Sequence, residues 1–216
     1  MTPTPKLSLG LLLTASAGFI DAVGFIELGG FFVSFVSGNT TQLGDALATG
    51  ALPVASITAS LIVLFFIGSV AGASLALLHR RWAASAVLAF VLVAMSLSLG
   101  LSAAGFTSTQ AMLALALAAG AQNAILQSEG AVRLGATFVT GTMFAAAQDL
   151  AKALRHQAPP WRWVQHLLVW ASLLLGAALG ALAYHAIGIY ALTAPIAVYA
   201  AFFLAYTILG PRHVQT

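Results

Sequence analysis

The stretch FFVSFVSGNTTQLGD, Phe31 to Asp45, decides how this chain is read. It interrupts an apolar sequence with a glycine, an asparagine and several hydroxyls. About a hundred residues later ATFVTGTMFAAAQD, Ala136 to Asp149, repeats the phrase Phe-Val-Ser/Thr-Gly-Asn/Thr. A polar phrase that recurs in similar surroundings marks a duplicated unit.

The match extends outward from the phrase. Gly18-Phe-Ile-Asp21-Ala22 lies over Gly120-Ala-Gln-Asn123-Ala124, and Glu27 lies over Glu129. Pro53 opens the next apolar stretch as Pro160 does later, a favoured place for proline at a helix start. Gly68-x-x-x-Gly72 then lies over Gly176-x-x-x-Gly180. That pattern alone is common in membrane helices. The ordered series predicts an internal repeat, residues 7–104 and 109–209, within a single membrane domain covering 1–216.

Composition fixes the solvent. Of 216 residues 61% are hydrophobic and 6% charged, with a mean hydropathy of +1.00. A soluble domain carries about 25% charge. The chain therefore reads as an all-α integral membrane protein, with lipid as its main surroundings. Its eight Lys and Arg residues are scattered between apolar stretches and mark topology, not a nucleic-acid footprint. With no cysteine, disulfides and thiolate metal sites are excluded.

A spanning helix needs about 20 mostly apolar residues. Leu7–Ile26, Pro53–Leu78, Ala83–Ala104, Thr109–Gln127, Trp163–Tyr184 and Gly188–Leu209 qualify, which predicts six transmembrane helices. Ala15-Ser16-Ala17 resembles a signal-peptide cleavage site, but the apolar run continues to Ile26, so the segment reads as a first membrane helix. Phe31–Thr49 and Leu134–Leu154 are broken by Gly38 and Gly141 and read as re-entrant half-helices. If neither crosses, three spans per half remain and the repeat is inverted. Starting inside, all eight basic residues, including Lys6, Arg80, Arg81, Arg133 and Arg212, then face the cytoplasm. Both termini are cytoplasmic in this arrangement.

Irregular backbone at membrane depth is tolerated only inside protein or beside a wet cavity. Ser37 or Asn39 is expected to cap a short helix running to Thr49, and Gly38 to let the chain turn and another group approach. Thr140, Gly141 and Thr142 repeat the design. Two half-helix N-termini beside a pseudo-two-fold axis are a usual substrate site of inverted-repeat transporters. The candidate substrate-binding residues are Asp21, Ser37, Gly38, Asn39, Thr40, Thr41, Asn123, Thr140, Gly141 and Thr142, with the two phrases expected to meet. The plain alternative is helix capping with no ligand.

Asp21 lies inside an apolar helix, where an ionisable group usually faces the protein interior or a cavity. Its repeat equivalent is the neutral Asn123. Asp45 is a secondary candidate. Glu27 and Glu129 read as interfacial, and Asp149 as a local ion pair with Lys152. His79, His156, His166, His185 and His213 are dispersed and read as interfacial. Trp82, Trp161 and Trp163 read as membrane-interface anchors. No H-E-x-x-H, G-x-S-x-G or nucleotide loop is present, so no catalytic residues, metal site or cofactor are expected.

At G-F-I-D-A, S-G-N-T, G-A-Q-N-A and T-F-V-T-G-T the sequence resembles the YoaK-type family of bacterial inner-membrane proteins, classed as a domain of unknown function. The resemblance covers nearly the whole chain. It implies a multi-pass inner-membrane protein and supplies no substrate or mechanism. The expected function is transport of an unknown small solute or ion. The alternative is a non-transporting assembly or sensory protein whose polar core holds the fold. The G-x-x-x-G faces can pack within or between chains, which leaves a homo-oligomer open.

Overall fold

The computed structural model describes residues 4–78, 82–125 and 139–209. They form α1 (Thr4–Glu27), α2 (Val36–Thr49), α3 (Leu52–Ala76), α4 (Ala83–Ala103), α5 (Ser108–Ala121), α6 (Val139–Leu154), α7 (Arg162–Ile187) and α8 (Thr193–Leu209). Short 3-10 turns, Gln122–Ala124 and Gly188–Leu192, follow α5 and α7. Among the described residues there is no strand. Glu129, Arg80, Arg81, Arg133, Arg212, His79, His213 and residues 134–138 of the second polar segment lie outside the described residues.

Among the described residues, four stretches are long and apolar enough to cross a bilayer: Leu7–Glu27, Leu52–Ala76, Ala83–Ala103 and Arg162–Ile208, the last holding both α7 and α8. The regular part of α5 is 14 residues, shorter than the expected Thr109–Gln127. At its end the Asn123 side-chain amide bonds the carbonyls of Ala119 and Gly120, each at 3.3 Å. Such back-bonding competes with the helix ladder, and the chain tightens into a 3-10 turn.

The exposed faces are apolar. Val63, Phe66 and Ile67 of α3 and Leu174, Leu179 and Leu182 of α7 point outward. Helices apolar on every side suit hydrocarbon, not water. The interior is built from small and medium side chains: Met112, Leu115 and Ala118 of α5 pack with Leu88, Val91 and Met95 of α4 and with Ile20 and Val23 of α1.

Two helix pairs form the frame, and glycines decide their closeness. On α7, a Cβ added at Gly176 would collide with the Ala15 carbonyl, and one at Gly180 would stand 2.5 Å from the Phe19 carbonyl oxygen. Gly18 of α1 meets the Leu173 carbonyl in return. On α3, Gly68 lies against Leu117 and a Cβ at Gly72 would stand 2.7 Å from the Ala121 oxygen. Gly120 of α5 answers against Phe65. Small residues let the backbones touch, which is how helices associate without a hydrophobic drive in lipid. In both pairs the contacts advance together along the two chains, so α1 runs parallel to α7 and α3 parallel to α5. The glycines that the sequence aligns between its halves thus make equivalent crossings.

After α1, Gly29 (φ 68°) and Gly30 (φ 113°) reverse the chain in conformations that other residues rarely adopt. α2 then packs on α3, and α6 packs on α7.

Candidate functional site

The segment between α1 and α2 is irregular, so its backbone groups need partners away from any ladder. Three side chains supply them. Asp21 Oδ1 accepts from the amides of Val33 at 3.0 Å and Ser34 at 2.9 Å. The Ser34 hydroxyl also bonds this carboxyl. Asn39 Oδ1 accepts from the Phe32 amide at 3.1 Å while its Nδ2 donates to the Phe32 carbonyl at 2.6 Å. Gln42 Nε2 donates to the Gly30 carbonyl at 3.0 Å. Asp21 and Asn39 thus meet around residues 30–34, and both hold the fold of that segment.

The expected caps do not form. α2 begins after Phe35 without a side-chain cap, because Asn39 sits in the first turn with its amide turned back onto Phe32. The amides of Gly38 and Asn39 bond the Phe35 carbonyl, and that of Val36 bonds the Ser34 carbonyl. The free donors expected at this half-helix start are therefore largely taken. Thr40 and Thr41 are exposed and donate to the carbonyls of Val36 and Ser37, and Ser37 is exposed beside them.

Gly38 does admit a close neighbour, but that neighbour is its own segment. A Cβ there would lie 2.6 Å from the Phe35 ring and 3.1 Å from the Phe32 ring. Those rings form an edge-on pair with centroids 5.2 Å apart. At Gly141 nothing among the described residues approaches within 4 Å. Thr140 is exposed on α6 and Thr142 is buried. α2 packs on α3 and α6 packs on α7, so each phrase has its own main neighbour. The first phrase satisfies much of its backbone through local hydrogen bonds.

A cavity of about 350 Å³ opens beside Asp21. Asp21, Phe25 and Phe32 form one wall, and Leu173, Ala177 and Ala181 of α7 form the other. The Phe25 and Phe32 rings lie 4.8 Å apart between centroids. Asp21 is the one charged side chain among the described lining residues. Asn123, its repeat equivalent, is turned onto its own helix and does not line this space. The lining contains none of Ser37, Thr40, Thr41, Thr140 or Thr142. Asp45 is exposed on α2.

Two polar clusters that the sequence did not mark occupy opposite ends of α7. At one end Glu27 Oε2 accepts from the Tyr184 hydroxyl at 2.6 Å and Oε1 accepts from Ser108 at 2.5 Å. This ties the end of α1 to the end of α7 and the start of α5. At the other end buried Asp149 accepts from Arg162 Nε at 2.8 Å and contacts His166 Nε2 at 3.2 Å. Asp149 therefore pairs across to α7 and not with exposed Lys152. His166 is 2% exposed, so it faces the protein interior at this end of α7. It is buried because a carboxylate one helix away needs a partner. Inside the bundle the Tyr199 hydroxyl donates to Gln122 Oε1 at 2.5 Å. These pairs join residues far apart in sequence, and no local spacing announces them.

The family described as "Protein of unknown function (DUF1275)" matches residues 9–205. A UPF0700 transmembrane protein of Rhizobium meliloti (strain 1021) is 30% identical over 197 residues, covering 88% of this chain and 83% of that protein. No solved structure matches.

Proposed function

This chain belongs to the DUF1275 family of proteins of unknown function, and on that premise we propose that it is a small-solute or ion transporter of the bacterial inner membrane. The Asp21 cavity is its solute site. One observation carries this reading: an ionisable side chain inside an apolar span stands on the wall of a cavity large enough for a small molecule. Such a residue is costly in a bilayer and marks solute or ion pathways. The protein moves its solute without altering it.

We further propose six crossings in two inverted halves, with both termini cytoplasmic. Helix directions support this. Glu27 and Ser108 meet, so α5 starts where α1 ends. α3 is parallel to α5 and so starts at that same end. α2 therefore leaves and returns to one side, as a re-entrant segment does. The Val33 and Ser34 amides reach Asp21, six residues before Glu27, roughly 9 Å inside that end at the helical rise. The equivalent helices α1 and α5 run in opposite directions, as inversion requires. Arg155 and Arg162 lie towards the opposite end, the side expected to be cytoplasmic.

The two clusters on α7 act as clamps on either side of the cavity. From Arg162 to Tyr184 the helix rises about 33 Å, close to the hydrocarbon thickness. Release of one clamp at a time would expose the cavity to one side at a time.

A second reading has its own support. Asp21, Asn39 and Gln42 all bond backbone, as a purely structural core would arrange them. Flux separates the two. Purified protein in sealed vesicles is tested with a panel of radiolabelled cations, anions and neutral solutes. Uptake above empty vesicles that falls at least tenfold in Asp21→Asn is the expected result. No uptake of any solute by correctly inserted protein would favour the structural core.

A further inference from the structure

We propose that the ligand of the Asp21 cavity is a small organic cation with an apolar body, such as a protonated alkylamine or a quaternary alkylammonium ion. The inference rests on the transport reading for its biological meaning, but the binding site stands on its own geometry. Charge comes first. Asp21 contributes an acid, and no basic side chain among the described residues lines the space to neutralise it. The known contacts to its carboxyl are donors: two amides and the Ser34 hydroxyl. A carboxylate offers about four acceptor positions, so room remains for the N–H of a protonated amine or for the close approach of a quaternary ammonium ion. A cation would supply the counter-charge that favours an ionised carboxyl at this depth, which neither an anion nor a neutral solute can do.

The walls set the rest. Phe25 and Phe32 stand beside Asp21 with ring centroids 4.8 Å apart and planes inclined at 36°. Aromatic faces attract ammonium groups, and quaternary ammonium ligands are commonly held this way. Leu173, Ala177 and Ala181 offer only apolar surface opposite, which suits alkyl substituents and not a hydrated metal ion. The volume of about 350 Å³ sits at the small end of ligand cavities and admits one small molecule. A bare alkali cation would want several oxygen ligands, and this lining offers one carboxyl.

The test uses the full chain purified in detergent, with thermal unfolding as the readout. Tetraethylammonium chloride is the probe, with sodium chloride at equal ionic strength and sodium hexanoate as controls. Saturable stabilisation by tetraethylammonium alone is expected. Asp21→Asn keeps an oxygen acceptor for Val33 and Ser34 while removing charge, and is expected to weaken binding at least tenfold. Ala181→Leu fills the cavity from α7 without touching Asp21 and is expected to do the same, so the test stands if the first variant misfolds. No saturable effect on the wild type, binding as tight as wild type in both variants, or tighter binding of hexanoate would overturn the proposal. Vesicle flux without tetraethylammonium binding would reject this ligand class and leave transport intact. Binding without flux of any solute would uphold the site and reject transport.

Discussion

The Tyr184 hydroxyl donates to Glu27 at 2.6 Å, which fixes the end of α7 to the end of α1 from 157 residues away. Hydrogen bonds to charged groups contribute about 1.5–3 kcal/mol. Both residues are only partly buried, so the lower part of that range applies. Tyr184→Phe should destabilise the protein by about 1–2 kcal/mol, read from chemical denaturation in mixed micelles. An unchanged midpoint would show that the contact contributes nothing.

Glycine substitutions should sort by what their new methyl meets. Gly176→Ala drives a methyl into the Ala15 carbonyl, where backbone must move. Overpacking of this kind costs about 1–3 kcal/mol. Gly100→Ala, on α4 with nothing within 4 Å, should be neutral or stabilise by up to about 1 kcal/mol through helix propensity. Within the repeated phrase, Gly38→Ala should lower the melting temperature and Gly141→Ala should not. Equal effects at those two positions would contradict the packing described around Phe32 and Phe35.

Asp149 gives a third contrast. Its bonds to Arg162 and His166 join α6 to α7. Arg162 keeps a third of its side chain exposed, so the loss should fall below that of a fully buried ion pair. Asp149→Ala is expected to cost about 2–3 kcal/mol. Lys152→Ala should stay within about 0.5 kcal/mol of wild type. Thermal unfolding of the two variants side by side checks this, and a larger loss at Lys152 would restore the local pair.

These cases show what was legible in the sequence. The membrane class came from composition, and the glycine pairs came from repetition, since only a close crossing makes one residue type recur at both places. Asp21 stood out because an acid is costly in an apolar helix. Its use on the amides of Val33 and Ser34 depends on the turn at Gly29 and Gly30, which brings them back over α1. The misreadings share one cause. Proximity to a helix start suggests Asn39 as a cap, yet its amide folds back to Phe32. Spacing pairs Asp149 with its nearest cation, yet its partners come from the next helix. Glu27 with Tyr184, and Gln122 with Tyr199, are tertiary contacts with no periodic signal. The cavity itself needed the α1–α7 crossing, which places Ala177 and Ala181 opposite Asp21.

Topology offers a further check, because the chain has no native cysteine. In the proposed six-crossing arrangement Ala158, between α6 and α7, faces the cytoplasm and Ala104, at the end of α4, faces outward. A membrane-impermeant thiol reagent on intact cells should label Ala104→Cys and spare Ala158→Cys. The reverse pattern would invert the orientation, and labelling of both would break the six-crossing arrangement.

The central claim is that the space beside Asp21 is a water-accessible solute site and not a dry gap in a structural core. A single cysteine at Ala22, adjacent to Asp21 and on the cavity lining, tests it directly. The protein is placed in sealed vesicles and treated with a charged, water-soluble thiol reagent. The account predicts labelling from the aqueous phase that slows when tetraethylammonium is present. Labelling by a lipid-soluble maleimide alone, with the charged reagent excluded from both sides, would contradict it.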